Sequence, residues 1–119
     1  MPKVKRGEIW EANFEPKAYK AEPGKTVRPA LVIQTNALND AGHATTIVIP
    51  GTTNIQTSAP DEMFPLRVRV QKQGGLTSDT DLMIDQVRAI ANARITSRLC
   101  ALSPAHLKQV LQALAQLTI

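Results

Sequence analysis

Apolar residues in this chain come in short bursts, and proline or glycine punctuates most of the gaps between them. That rhythm constrains the fold more than any other feature. It leaves room for strands of four to eight residues nearly everywhere and for a helix only at the C-terminal end. Gly7 to Phe14 reads as a strand with Trp10, Ala12 and Phe14 on one face and Glu11 and Asn13 on the other, stopped by Pro16. Ala30-Leu31-Val32-Ile33-Gln34-Thr35 is almost wholly apolar, the mark of a strand buried on both faces. Pro29 can begin it, since a missing N–H is tolerated at a strand's first position. Thr45 to Ile49 is β-branched throughout, and Pro50-Gly51 is expected to break it. Leu66-Arg67-Val68-Arg69-Val70 alternates, which puts Arg67 and Arg69 on a solvent face. Leu82–Ile84 and Gln86–Ile90 are two short strand pieces around Asp85. The connections are polar: 16–28 and 51–62 are long loops, 36–43 carries Asn39-Asp40 and Gly42, and Gln73-Gly74-Gly75 is a turn.

The C-terminal segment has a different period. Ser103 is placed to cap a helix, with Pro104 at its first position and Leu102 and Leu107 as a hydrophobic staple. Leu107, Val110, Leu111, Leu114 and Leu117 then fall on one helical face. Five to seven short strands and one terminal helix predict a mainly β domain: a small, strongly bent antiparallel sheet or open barrel with the helix packed on it. The 119 residues suit one domain spanning 1–119, with about two-thirds of its unfolded surface buried. No internal repeat interrupts this reading.

Several function classes drop out. No apolar run reaches the length of a membrane span, and the basic N-terminus MPKVKRGEIW has no apolar stretch behind it, so neither a spanning helix nor a secretion signal is expected. A single cysteine, Cys100, permits no internal disulfide, fits a reducing cytoplasm and reads as a buried apolar residue. Fourteen basic against ten acidic residues leave a charge of +4, which favours polyanions. Only Trp10, Phe14, Tyr19 and Phe64 are aromatic, too few for a module that reads single strands mainly by stacking.

His43 and His106 are far apart and no Cys/His spacing suits a metal, so no metal site is expected; nor is there a glycine-rich phosphate loop. His43 reads as a solvated loop residue and His106 as an exposed residue of the first helical turn. The informative residues are at the ends of strands. Arg28 precedes the second strand, Thr52 and Thr53 follow the third, and Asp85, Gln86 and Arg88 sit between two later pieces. If the second and third strands are antiparallel neighbours, Arg28 and Thr52 meet at one rim, and an arginine fork beside a hydroxyl can clamp a phosphate.

Arg6-Gly7-Glu8-Ile9-Trp10 with Pro16 beyond it, Arg28-Pro29-Ala30-Leu31-Val32-Ile33, Ile47-Val48-Ile49-Pro50-Gly51-Thr52 and Asp85-Gln86-Val87-Arg88-Ala89-Ile90 together resemble the MazF/PemK/Kid toxins of bacterial toxin–antitoxin pairs. The resemblance covers nearly the whole chain. It implies an SH3-like barrel, a homodimer, and a cytoplasmic, metal-independent endoribonuclease that cuts single-stranded RNA at short sequences and needs no cofactor. It maps the catalytic pair to Arg28 and Thr52 and a further catalytic carboxylate to Asp85. Lys20, Lys25, Thr53, Gln86 and Arg88 are the accompanying RNA-binding candidates. It also implies an acidic antitoxin of the MazE/PemI kind as partner, with DNA met only through that antitoxin. Two positions depart from the pattern: the 20–27 segment lacks the usual Gly-(His/Ser)-Glu-Gln, and Met83 stands where plasmid-borne relatives carry arginine. Rival readings are a gyrase poison of the CcdB kind, whose Trp-Gly-Ile ending this Leu-Thr-Ile terminus lacks, and a non-enzymatic SH3-like module.

Overall fold

The structure is a computed structural model that describes residues 3–14, 27–55 and 63–118. Seven strands and two helices occur among these residues. The strands are β1 (Glu8–Asn13), β2 (Val27–Val32), β3 (Thr45–Thr52), β4 (Arg67–Val70), β5 (Thr80–Met83), β6 (Arg88–Ala91) and β7 (Ile95–Ala101). A short helix α1 (Asn36–Asp40) lies between β2 and β3, and α2 (Pro104–Thr118) ends the chain. The strands form one antiparallel sheet in the order β4-β5-β3-β2-β1-β7, with β6 also paired to β3. The sheet curls without closing by strand pairing among the described residues. At one point its margins touch, where the Gly75 N–H of the β4–β5 connection donates to the Leu99 carbonyl of β7 at 2.7 Å.

The alternation of β2 explains why it looks apolar throughout. Leu31 enters one core with Ile9, Ile49, Val68, Val70, Leu82 and Ile84, closed by Val110 and Ala113 of α2. Ala30 and Val32 enter a second core on the opposite face with Trp10, Ala12, Val48, Ile90 and Ile95, edged by Phe14. Two thin cores on either side of one sheet bury residues of both parities along the central strands.

Several expectations are corrected. Pro50-Gly51 does not break β3, which runs through both to Thr52. The reason is that β3 changes neighbours there. It pairs with β6 up to Val48 and with β5 from Gly51, so proline's missing N–H falls where that edge has no ladder to complete. Pro29 does not begin β2 either: the strand starts at Val27 and takes Arg28 into the sheet. The polar connection after Thr35 contains α1, and β7 is a further strand, buried at Ile95 and Cys100 and mostly exposed between them. On α2, Ser103 does cap the helix, its Oγ accepting the His106 N–H at 3.2 Å, and Leu102 and Leu107 both join the core. Leu117, expected on the buried face, is 37% exposed at the last turn. No helix among the described residues is long and apolar enough to cross a membrane.

The Arg6-Gly7-Glu8-Ile9-Trp10 segment is a junction. Gly7 holds a φ of +94°, natural only to glycine, and from it donates to Val32 and accepts from Leu102. Glu8 accepts from the Lys5 N–H, the Trp10 indole and the Arg98 guanidinium. Burial pushes its carboxyl pKa up, and these donors outweigh burial to leave it lowered. Cys100 is buried, and burial pushes its thiol pKa up, which keeps it neutral and unreactive.

Candidate functional site

β2 and β3 run antiparallel with Ala30 opposite Pro50, Leu31 opposite Ile49 and Val32 opposite Val48. The ladder ends at Ala30 and Pro50; carrying its register two residues further aligns Arg28 with Thr52. Both are half-buried. Both share the parity of Ala30 and Val32, so they lie on the face turned away from α2. The Thr52 hydroxyl oxygen accepts the Asn54 N–H at 3.1 Å, which leaves its own proton for another acceptor.

The other edge of β3 extends this line. Gly51 pairs with Leu82 and Thr52 with Asp81 of β5; Asp81 pairs with Arg69 of β4. Thr52, Asp81 and Arg69 thus form one row across three strands, and the continued β2–β3 register adds Arg28 at its end. The close approach depends on Gly51, where a Cβ would come within 2.5 Å of the Thr80 methyl. Asp81 is 1% exposed. Its two oxygens accept Arg69 Nε at 2.8 Å and an Arg69 terminal nitrogen at 3.3 Å, a bidentate pair that holds the arginine pKa above its ordinary value. Arg67 Nη1 lies 3.9 Å from the same carboxylate.

This corrects the reading of Arg67 and Arg69 as a solvent face. Their face is sheet-lined and built around a buried carboxylate, and the two side chains keep only 27% and 20% of their exposure. Alternation along β4 correctly paired the two arginines on one side. The signal missed was Asp81, a carboxylate in the middle of a strand, where an unpaired charge would be costly. His106 is corrected too: it is half-buried, and its Nε2 lies 3.0 Å from the Arg69 carbonyl, tying α2 to β4.

Asp85 and Gln86 are exposed on a 3-10 turn (Ile84–Gln86) between β5 and β6. Buried Ile84 anchors the turn, its N–H donating to Leu66 at 2.9 Å. This turn accounts for the three-residue shift between the register of β5 and that of β6 along β3. Arg88, exposed on β6 opposite Val48, has its guanidinium 5.6 Å from the centre of the Phe14 ring. Thr53 is exposed just past β3, and His43 is exposed as expected. Lys20 and Lys25 lie outside the described residues. Arg28 and Thr52 therefore lie at the same end of neighbouring strands, just past the β2–β3 ladder, and Asp85, Gln86 and Arg88 lie towards the other edge of β3. Among the described residues no three His, Cys, Asp or Glu side chains gather in a way that could hold a metal ion.

Comparison with known proteins gives a consistent result. The profile of the family described as PemK-like, MazF-like toxin of type II toxin–antitoxin system matches residues 5–118. Endoribonuclease EndoA of Bacillus subtilis is 31% identical over 112 residues, covering 93% of this chain and 90% of its own length. Endoribonuclease MazF9 of Mycobacterium tuberculosis is 28% identical over 116 residues, covering 93% and 92%. Among solved structures, MazE–MazF from Deinococcus radiodurans superposes with a TM-score of 0.75 at 22% identity, over 99% of this chain and 97% of that one.

Proposed function

Because this chain belongs to the PemK-like, MazF-like toxins of type II toxin–antitoxin systems, we propose that it acts as an endoribonuclease on single-stranded RNA through the face that carries Arg28 and Thr52. The observation that supports this reading is the β2–β3 register, whose continuation aligns an arginine fork with a threonine hydroxyl that has a proton to donate.

The reaction follows from the residues. The 2′-hydroxyl of the RNA attacks the adjacent phosphorus. The 5′-oxygen leaves, and the products are a 2′,3′-cyclic phosphate and a 5′-hydroxyl end. The 2′ proton passes to a base, for which the exposed Asp85 carboxylate is the candidate, and the departing 5′-oxygen takes a proton from solvent water. Between these steps the phosphorane carries extra negative charge. Arg28 stabilises it with planar donors whose charge persists at every working pH, and Thr52 adds a hydrogen bond. Gln86, Arg88, Thr53, Lys20 and Lys25 are the surrounding RNA contacts in this reading. No step calls on a metal ion.

The whole chain, 1–119, works in this proposal as a single domain in the cytoplasm and pairs with a second copy as a homodimer. Its partner is the antitoxin that the family implies, which covers the same face with an acidic segment. The test is cleavage of single-stranded RNA in excess EDTA with end-group analysis. Cyclic phosphate and 5′-hydroxyl ends are expected; a requirement for added Mg²⁺, or 5′-phosphate ends, refutes the mechanism.

A further inference from the structure

Arg67 is a guanidinium that the mechanism above leaves unused. It stands on β4 opposite Met83, one step along from the Arg69–Asp81 pair. Val68 and Val70 alternate with it and enter the core beneath α2, so Arg67 lies on the other face, that of Arg28 and Thr52. Asp81 is occupied by Arg69, which takes both oxygens. Arg67 meets this carboxylate only at 3.9 Å, through Nη1. That nitrogen is buried and has no hydrogen-bond acceptor among the described residues. Two guanidiniums share this one carboxylate, with Asp79 adding only a longer-range pull on Arg69, and because Nη1 is closed to solvent an anion meets the exposed remainder of the Arg67 side chain. The rest of the side chain is reachable, at 27% exposure.

We infer that Arg67 binds a backbone phosphate of the RNA on the β4 side of Thr52. The inference takes its ligand class from the endoribonuclease reading; its geometry stands apart from that reading. β2 and β4 are separated by three strand spacings, roughly 14 Å, so Arg28 and Arg67 flank Thr52 from opposite sides. Buried Asp81 sets the charge and the position of this second grip. It holds Arg69 in a fork, and the doubled cation beside it leaves Arg67 to the incoming anion. Arg67 contributes to holding the strand and takes no part in the proton transfers.

The experiment measures binding of a fully 2′-O-methylated single-stranded RNA, which cannot be cut, across a series of salt concentrations. Wild type is compared with Arg67→Met and with Lys108→Met, which removes an equal charge from exposed α2. Arg67→Met is expected to lower the slope of log K against log salt by about 0.7, one single-strand phosphate contact. With ordinary RNA it should raise KM and leave kcat nearly unchanged. Lys108→Met should keep the wild-type slope. If Arg67→Met folds poorly, Arg67→Gln is read in the same way. An unchanged slope in a folded Arg67 variant overturns the inference. An equal loss in Lys108→Met also overturns it, because the effect is then only the general field of the protein. So does weaker binding of a glutamate-rich peptide with the RNA slope intact, which makes Arg67 a contact for the acidic partner. A wild type that binds the methylated RNA but cuts no RNA refutes the endoribonuclease reading alone, and the slope comparison still decides Arg67. One that binds no RNA refutes both.

Discussion

In the proposed mechanism the chemistry turns on Arg28, and the question it raises is why it is an arginine and not a lysine. A lysine in its place keeps the positive charge and loses the planar fork that matches two phosphate oxygens at once. Arg28→Lys is therefore expected to lower single-turnover cleavage by at least about 10²-fold, the usual loss for one preorganised donor to a developing oxyanion, with the fold intact. Thr52→Val, which removes one hydroxyl and keeps the shape, should act in the same direction with a smaller loss. Rates near wild type in both folded variants would put the site elsewhere. Both residues could be singled out in the sequence because both sit where an apolar strand meets a polar loop. Asp81 could not. Nothing local separates it from Asp79 two positions earlier, which is exposed, yet the fold makes one a buried ion-pair acceptor and leaves the other in solvent.

At the scale of elements the organising piece is β3. It pairs with β2 along one edge and with β6 and then β5 along the other, so every candidate described here lies on it, beside it or one strand further out. Its hinge is Pro50-Gly51. Gly51 lies 2.5 Å, measured from the position a Cβ would take, from the methyl of Thr80, a fully buried β-branched side chain with little room to turn. Gly51→Ala should therefore force β3 and β5 apart. The expected cost is about 1–3 kcal/mol, the range for an overpacked core. It should appear as a lower urea midpoint and also as slower cleavage, because Thr52 is the next residue and shares the displaced pairing with Asp81. A variant as stable as wild type would mean that the sheet relaxes there without strain. Pro50-Gly51 was legible as an irregularity in the sequence. Its meaning was not: two breakers read locally as the end of a strand, and only a change of pairing partner lets a strand pass through them.

At the scale of the molecule the governing quantity is the +4 charge and where it concentrates. Arg28, Arg67 and Arg69 share the sheet face opposite α2, with Arg88 at its β6 edge, and Asp81 is the carboxylate set among them. A face of that kind attracts RNA and a carboxylate-rich peptide by the same field. The two are expected to compete: titrating RNA-bound protein with the acidic antitoxin should release RNA and stop cleavage together. A ternary complex with RNA affinity unchanged would show separate surfaces. As for where this knowledge came from, the chain's own periodicities determined its class: short β segments, one capped C-terminal helix, and a basic surface. Such features are local, since alternation, helical period and cap chemistry depend on residues a few positions apart. They also placed Arg28 and Thr52 on one rim as soon as β2 and β3 were taken as neighbours. Tertiary structure alone decided that Arg67 and Arg69 face a buried carboxylate and not water, that His106 reaches the Arg69 carbonyl, and that Ile95–Ala101 is a strand. Each of these depends on a partner far away in sequence, and a side chain's environment is set by what the fold brings to it, which its immediate neighbours do not encode.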